Sequence, residues 1–182
     1  MVSLCGIIMN LFATSDDPVE SALSLPDKLV IKIALESCQI LCTVAQERGF
    51  KSPYKATHKN HPITNWVRQD INNFYWALIY GLELCQEYTF RYKDKHGYER
   101  RHKCESYLWD ILYWLGYVAS DIEDLQRSSI QNHTTFVMAM PEEFKCANPV
   151  AAYKRYLQEK KSYYATWRNT RKPSWWLEET KA

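Results

Sequence analysis

Between Asp27 and Gly49 the chain reads DKLVIKIALESCQILCTVAQERG, where ionisable groups recur at a spacing that can support acid–base chemistry. Lys28, Lys32, Glu36, Gln39, Thr43 and Gln46 follow one another in steps of three and four. In a helix such steps put them on one stripe. The remaining positions are apolar almost all round, from Leu29, Val30 and Ile33 to Ile40, Leu41 and Val44, as in a helix enclosed by a domain. A carboxylate held among apolar side chains titrates above its ordinary range, which suits it to handling protons near neutrality. Glu36 is therefore the first catalytic candidate, with Lys32 one turn before it and Gln39 one turn after. The plainer alternative is an exposed i, i+4 pair between Lys32 and Glu36, which contributes only about 0.2–0.5 kcal/mol.

A second cluster, Thr57-His58-Lys59-Asn60-His61, is dense in donors that suit a phosphate or a base edge. His58 and His61 are spaced like a metal pair, but no third ligand follows at a recognisable spacing, so neither a metal nor a cofactor is expected. Arg68, Arg91, Lys160 and Arg168 are the basic side chains suited to phosphate contacts. Aromatic residues interleaved with Lys and Arg over 153–176 resemble a surface that stacks on unpaired bases. Trp175 and Trp176, beyond the last helix and next to Pro173, are the strongest members of that group. Walker A, GxGxxG, GxSxG and HExxH motifs are all missing from the sequence, which removes support for nucleotide-kinase, dinucleotide-binding, hydrolase-elbow and zincin chemistries.

The elements that must position these residues are helical. Asp17 before Pro18 caps a short helix to Leu25, and Asp27 and Gly49 suit the start and the left-handed stop of the central one. Pro62 opens a long helix whose core face runs from Trp66 to Cys85, with Asn65, Arg68, Asn72 and Trp76 on a polar flank continued by Glu87 and Arg91. A third long helix over 105–127 carries Leu108, Ile111, Leu112, Leu115, Val118, Ile122 and Leu125 at helical period. After a linker, Asn148 and Pro149 start a last helix that runs through Tyr153, Tyr156, Leu157, Tyr163 and Trp167. Residues 1–8 read as an apolar extension before Met9, and 9–182 as a single domain. The expected fold is all-α, a compact domain of about four main helices around a buried central helix over 27–48.

Composition agrees: 46% hydrophobic residues suffice for a core, and five glycines are too few for a turn-rich β architecture. The net charge of +2 hides a segregation, with an acidic first 50 residues and basic segments at 88–104 and 141–182, both aromatic-rich. Two such segments suit one polyanionic ligand. Six cysteines form neither a CxxC nor a compact framework, and Cys38 and Cys42 read as small buried residues. No apolar run long enough to span a membrane is expected, and a reducing cytoplasm fits best.

With Asp27 nine residues before Glu36, the first long helix resembles that of the pyrimidine-dimer DNA glycosylases of the phage ultraviolet-endonuclease type. Met140-Pro141-Glu142-Glu143-Phe144-Lys145 is similar to that family's Ile-Pro-Gln-Glu-Phe-Arg. Lys172-Pro173-Ser174-Trp175-Trp176 looks like its Pro-Thr-Trp-Tyr stretch, and the whole chain resembles phage proteins with a Thr-His-Lys-Asn-His-Pro motif, here Thr57 to Pro62. The resemblance implies that Glu36 is the catalytic carboxylate, that DNA is the partner, and that Trp175 and Trp176 act near the damaged bases. Two departures accompany it. The arginines beside the family's glutamate match Leu35 and Gln39, and its N-terminal threonine amine has no counterpart in a chain starting Met-Val, or Met-Asn from Met9.

The expected function is a phage-type DNA N-glycosylase acting in the cytoplasm of a bacterial or phage-infected cell, without a membrane partner. Glu36 would handle a proton at the sugar, and His58, Lys59, Asn60, His61, Arg68 and Arg91 would contact phosphate or base. Strand cleavage is not expected, because residues 1–8 separate the terminal amine from Glu36 and Lys32 beside a carboxylate is a poor nucleophile. The alternatives are a nucleotide-sequestering protein that uses the same polar site without chemistry, and a helical interaction module.

Overall fold

A computed structural model describes residues 9–94, 96–118 and 132–176. The 1–8 extension, Ile122 and Leu125 of the third helix, the start of the following linker and residues 177–182 lie outside the described residues, as does the Val118 side chain. The described residues form six α-helices and no strand: α1 Pro18–Ser24, α2 Asp27–Gln46, α3 Pro62–Gln69, α4 Ile71–Arg91, α5 Cys104–Val118 and α6 Pro149–Lys161. The all-α, single-domain expectation holds.

Local chemistry sets most of the helix ends. The Asp17 carboxylate accepts from the N–H groups of Val19 and Glu20, and Asn148 accepts from Ala151, each just before a proline at the first helical position. At the end of α2, Gly49 takes φ +96° while Phe50 N–H donates to Ala45 carbonyl, which satisfies a carbonyl the helix leaves open.

Two boundaries differ from expectation. The helix opened by Pro62 breaks at Asp70, whose extended backbone (φ −145°) frees its side chain to accept from Asn72 N–H and cap α4. The last helix stops at Lys161, followed by a 3-10 turn over Ser162–Tyr164, so Tyr163 and Trp167 do not continue it. Nor is Asp27 a cap: Pro26 holds that position, and Asp27 is buried in the first turn of α2.

The core is built around α2, which packs against α3, α4 and α5, while α1 packs on α4. Contrary to expectation, α2 is apolar and long enough to cross a membrane, with mean hydropathy 1.4, but 72% of that window is buried inside the protein. It is a core helix. Gly81 lets α4 approach α2 and α5 closely, since a Cβ there would sit 3.2 Å from Leu108 and 3.3 Å from Ser37. Trp76, expected on a polar flank, is fully buried, stacks on Tyr80 and donates from its indole N–H to Asp16 carbonyl at 2.7 Å.

Arg91 is 1% exposed and joins three parts of the chain. Its guanidinium meets Glu87 at 2.7 Å and Asp27 at 3.2 Å, and donates to the carbonyls of Leu25 and Leu23 at the end of α1. Asp27 in turn accepts from Thr166 Oγ1 and Arg168 N–H, fastening the C-terminal segment to the start of α2. Arg91 is thus withdrawn from the candidate DNA contacts, because all its donors are spent inside the protein. Arg91→Met should cost about 3–5 kcal/mol in urea unfolding, since it strands buried carboxylates. Adding Asp27→Asn to Arg91→Met should recover part of that loss, and strict additivity of the two would show that the pair is not coupled.

Candidate active site

Glu36 lies at the inner edge of the face of α2 that reaches solvent. Lys28, Ile31, Lys32 and Leu35 are exposed along that face and Gln39 is half-buried, while Glu36 is 5% exposed. Its Oε2 accepts from the Asn10 backbone N–H at 3.0 Å, and its Oε1 lies 3.3 Å from Lys32 Nζ. Burial pushes the Glu36 carboxyl up from its ordinary range, and the Asn10 hydrogen bond, the Lys32 ammonium and the nearby His58 pull it part of the way back. Desolvation wins. Lys32 remains 44% exposed, so the ammonium end of the pair stands in water while the carboxylate is largely enclosed.

A second layer fixes the Asn10 donor. The Asn10 side chain donates to Ala139 carbonyl at 2.7 Å and accepts from Phe12 N–H at 3.0 Å. Ala139 N–H donates to the Tyr153 hydroxyl, which donates to Val137 carbonyl, and the Tyr80 hydroxyl beneath the site donates to Leu11 carbonyl. Burial and the neighbouring Tyr153 and Glu36 push the Tyr80 phenol well up, so it stays neutral. Phe12 has φ +50°, a costly backbone for a bulky residue, and is held by edge contact with Tyr153 and stacking on Tyr156. The part played by Asn10 has no signal in the sequence, because it acts through its backbone.

The 57–61 loop faces the same region. Thr43 exchanges hydrogen bonds with Thr57, and Gln46 donates to Tyr54 carbonyl, so the C-terminal polar residues of α2 anchor the loop. His58, Lys59 and Asn60 are exposed, and His58 takes φ +49° with its Nδ1 2.7 Å from Thr57 Oγ1. His61 is half-buried and caps α3 by accepting from Ile63 N–H at Nδ1; burial and His58 lower its imidazole, favouring the neutral form. Among the described residues no group of three His, Cys, Asp or Glu side chains could hold a metal ion.

The remaining candidates separate from this cluster. Arg68 forms a two-pronged pair with Glu47 and donates to Asn65 Oδ1 and Lys59 carbonyl. It steadies the loop rather than offering itself to phosphate. Trp176 is a core residue at 6% exposure, packed edge-on against Trp167, and Trp175 is half-buried under Lys154. For the two tryptophans the cause is shared: tertiary packing buries Trp176 and half-covers Trp175. Lys160 is exposed with its ammonium 5.4 Å from the Phe144 ring centroid, and Arg168 is exposed over Tyr92. Two surface pockets of about 580 Å³ each lie elsewhere, one beside Trp109 and Tyr113 and another between His133 and Asn148. Neither includes Glu36.

Cys38, Cys42, Cys85 and Cys104 are buried free thiols, with Cys38 and Cys42 3.9 Å apart on one face of α2. They belong to the core, as the helical spacing of Cys38 and Cys42 suggested for that pair.

No curated protein and no solved structure matches the chain significantly. A family model does: that described as pyrimidine dimer DNA glycosylase matches residues 9–100, from Met9 through α2 and the 57–61 loop to the end of α4 and beyond. The matched half thus contains Asn10, Lys32, Glu36 and the loop that faces them, and the chain belongs to the pyrimidine dimer DNA glycosylase family.

Proposed function

We propose that the chain is a DNA N-glycosylase acting on a damaged pyrimidine, with Glu36 as its catalytic carboxylate. The observation that carries this reading is a buried carboxylate, raised in pKa by desolvation, on the solvent edge of α2, fixed by Asn10 N–H and Lys32 in the half of the chain that matches the family. The target nucleotide would leave the stack and present its sugar to Glu36. As the bond from sugar C1′ to the base nitrogen breaks, the base keeps the electron pair and water attacks C1′. Glu36 takes the proton of that water, and the departing base takes one from solvent. Lys32 supplies positive charge beside Glu36, and His58, Lys59 and Asn60, exposed on the 57–61 loop, would meet phosphate or the partner strand.

Leu35, 39% exposed beside Glu36, favours a second reading: a nucleotide-binding protein with the same site and no chemistry. An aliphatic side chain there grips no backbone phosphate, but its apolar surface suits the face of a single base. Ionic strength separates the two. A DNA binder should lose affinity steeply with salt, and Lys59→Gln should flatten the logarithmic slope by about 0.9 for each phosphate that the variant no longer neutralises. Salt-independent binding of a mononucleotide would favour the second reading.

Glu36→Gln should abolish base release from ultraviolet-irradiated duplex DNA while the protein stays folded. Because the folded-state value of Glu36 is raised, its favourable contribution is full below the free-chain value of about 4.3 and is lost as pH rises through the shifted value. The glutamine variant should therefore gain stability relative to the parent as pH is raised above the free-chain value of about 4.3 in thermal melts. Retained base release would remove Glu36 from the chemistry.

Strand cleavage requires an amine that forms a Schiff base with the opened sugar. With residues preceding it, the Asn10 nitrogen 3.0 Å from Glu36 is an amide and cannot do this. Borohydride treatment with substrate DNA should trap no adduct on the full chain. A chain prepared with Asn10 as its first residue should be trapped, since its amine, of ordinary pKa about 7.7–8.0, would stand beside Glu36. An adduct at Lys32 of the full chain would overturn this assignment.

A further inference from the structure

The turn after α6 lies outside the family match and carries Tyr163, the most exposed large hydrophobic side chain among the described residues at 83%. The Tyr163 ring stands edge-on to Tyr164, with centroids 4.7 Å apart and planes at 86°. Tyr164 is half-buried beneath the Lys28 ammonium, 5.3 Å from its ring centroid. Burial and the neighbouring phenols push its hydroxyl up to about 12, so it adds no negative charge at neutral pH.

The backbone after this turn is not loose. Asp27 N–H donates to Thr166 carbonyl at 2.9 Å, and Thr166 Oγ1 and Arg168 N–H donate to the Asp27 carboxylate at 2.9 and 3.0 Å. An aromatic ring is thus held out in water on a fixed support, beside the first turn of the helix that carries Glu36. Lys28, Lys32 and Glu36 follow at four-residue steps on that helix. Eight residues of helical rise put Lys28 about 12 Å from Glu36, a span of about three stacked nucleotides. Lys161, over the Tyr156 ring at 5.7 Å, adds positive charge on the α6 side.

We propose that Tyr163, backed by Tyr164 and flanked by Lys28, is a stacking platform for an unpaired base about three nucleotides from the one processed at Glu36. The occupant is a nucleic-acid strand because Lys28 over the adjoining Tyr164 and Lys161 on the α6 side give the turn positive charge that suits a polyanion, and every base offers a π-face whatever the sequence. The proposal rests on the glycosylase reading above, and it gives that site a grip on the strand beyond the reacting nucleotide.

The test uses the full chain carrying Glu36→Gln, so that binding is measured without chemistry, and a damaged oligonucleotide with 2-aminopurine three nucleotides from the lesion. Binding should quench the probe. Tyr163→Ala should weaken affinity about tenfold and abolish the quench, Tyr163→Phe should keep both, and Lys28→Gln should flatten the salt dependence. The melting temperature of Tyr163→Ala should not move, given the exposure of the ring. Unchanged affinity and quench in Tyr163→Ala would overturn the platform and leave the glycosylase reading intact. Failure of the parent to bind DNA at all would overturn both, and a clear drop in melting temperature would make Tyr163 structural.

Discussion

The Arg91 guanidinium is a cation brought out of water, and the fold is arranged so that it is never alone. Two carboxylates, Glu87 and Asp27, balance it, and two carbonyls at the end of α1 take its remaining donors. Such a buried group contributes little net stability when compared with a well-packed apolar core, but breaking it is expensive. Its consequence is architectural: the end of α4, the turn between α1 and α2, and the 166–168 segment must come together. Because Asp27 is shared, the same contact fixes where α2 begins, and hence where Lys28, Lys32 and Glu36 stand.

At Glu36 the balance is drawn differently. Burial works against the charged form, and a single backbone N–H, one half-exposed ammonium and a nearby imidazole offset only part of that cost. A carboxylate so placed keeps a proton more readily than a surface one, yet Lys32 keeps the charged form within reach. The N–H comes from Asn10, whose side chain is tied to the 137–139 segment and hence to Tyr153 on α6. The N-terminal segment, the strained Phe12 and α6 therefore determine the environment of a group on α2.

The C-terminal aromatic residues divide into two populations by what surrounds them. Trp176 is buried in the core with the half-buried Trp167 edge-on against it, and the Trp167 indole N–H donates to Ser24 carbonyl, whereas Tyr163 is carried on the outside of the same tethered segment. Enclosure of the tryptophans holds the segment in place, and that fixed placement is what lets an exposed ring serve as a rigid contact.

The sequence by itself determined the helical class, the caps at Asp17 and Asn148, the left-handed stop at Gly49 and the buried α2 with its polar stripe, because each depends on neighbours within a turn or two. It also singled out Glu36, since an ionisable group on an otherwise apolar helix is a local pattern. Tertiary structure alone decided the rest. Arg91 looked like a phosphate contact because it begins a basic segment, but its partner Asp27 lies 64 residues away. Arg68 meets Glu47 across 21 residues, Asn10 reaches Glu36 across 26, and Trp176 is buried in the folded core, which the local aromatic and basic pattern does not announce. Helical periodicity tells which face of a helix a side chain occupies, but a charge or ring becomes structural or functional according to what the other helices bring against it.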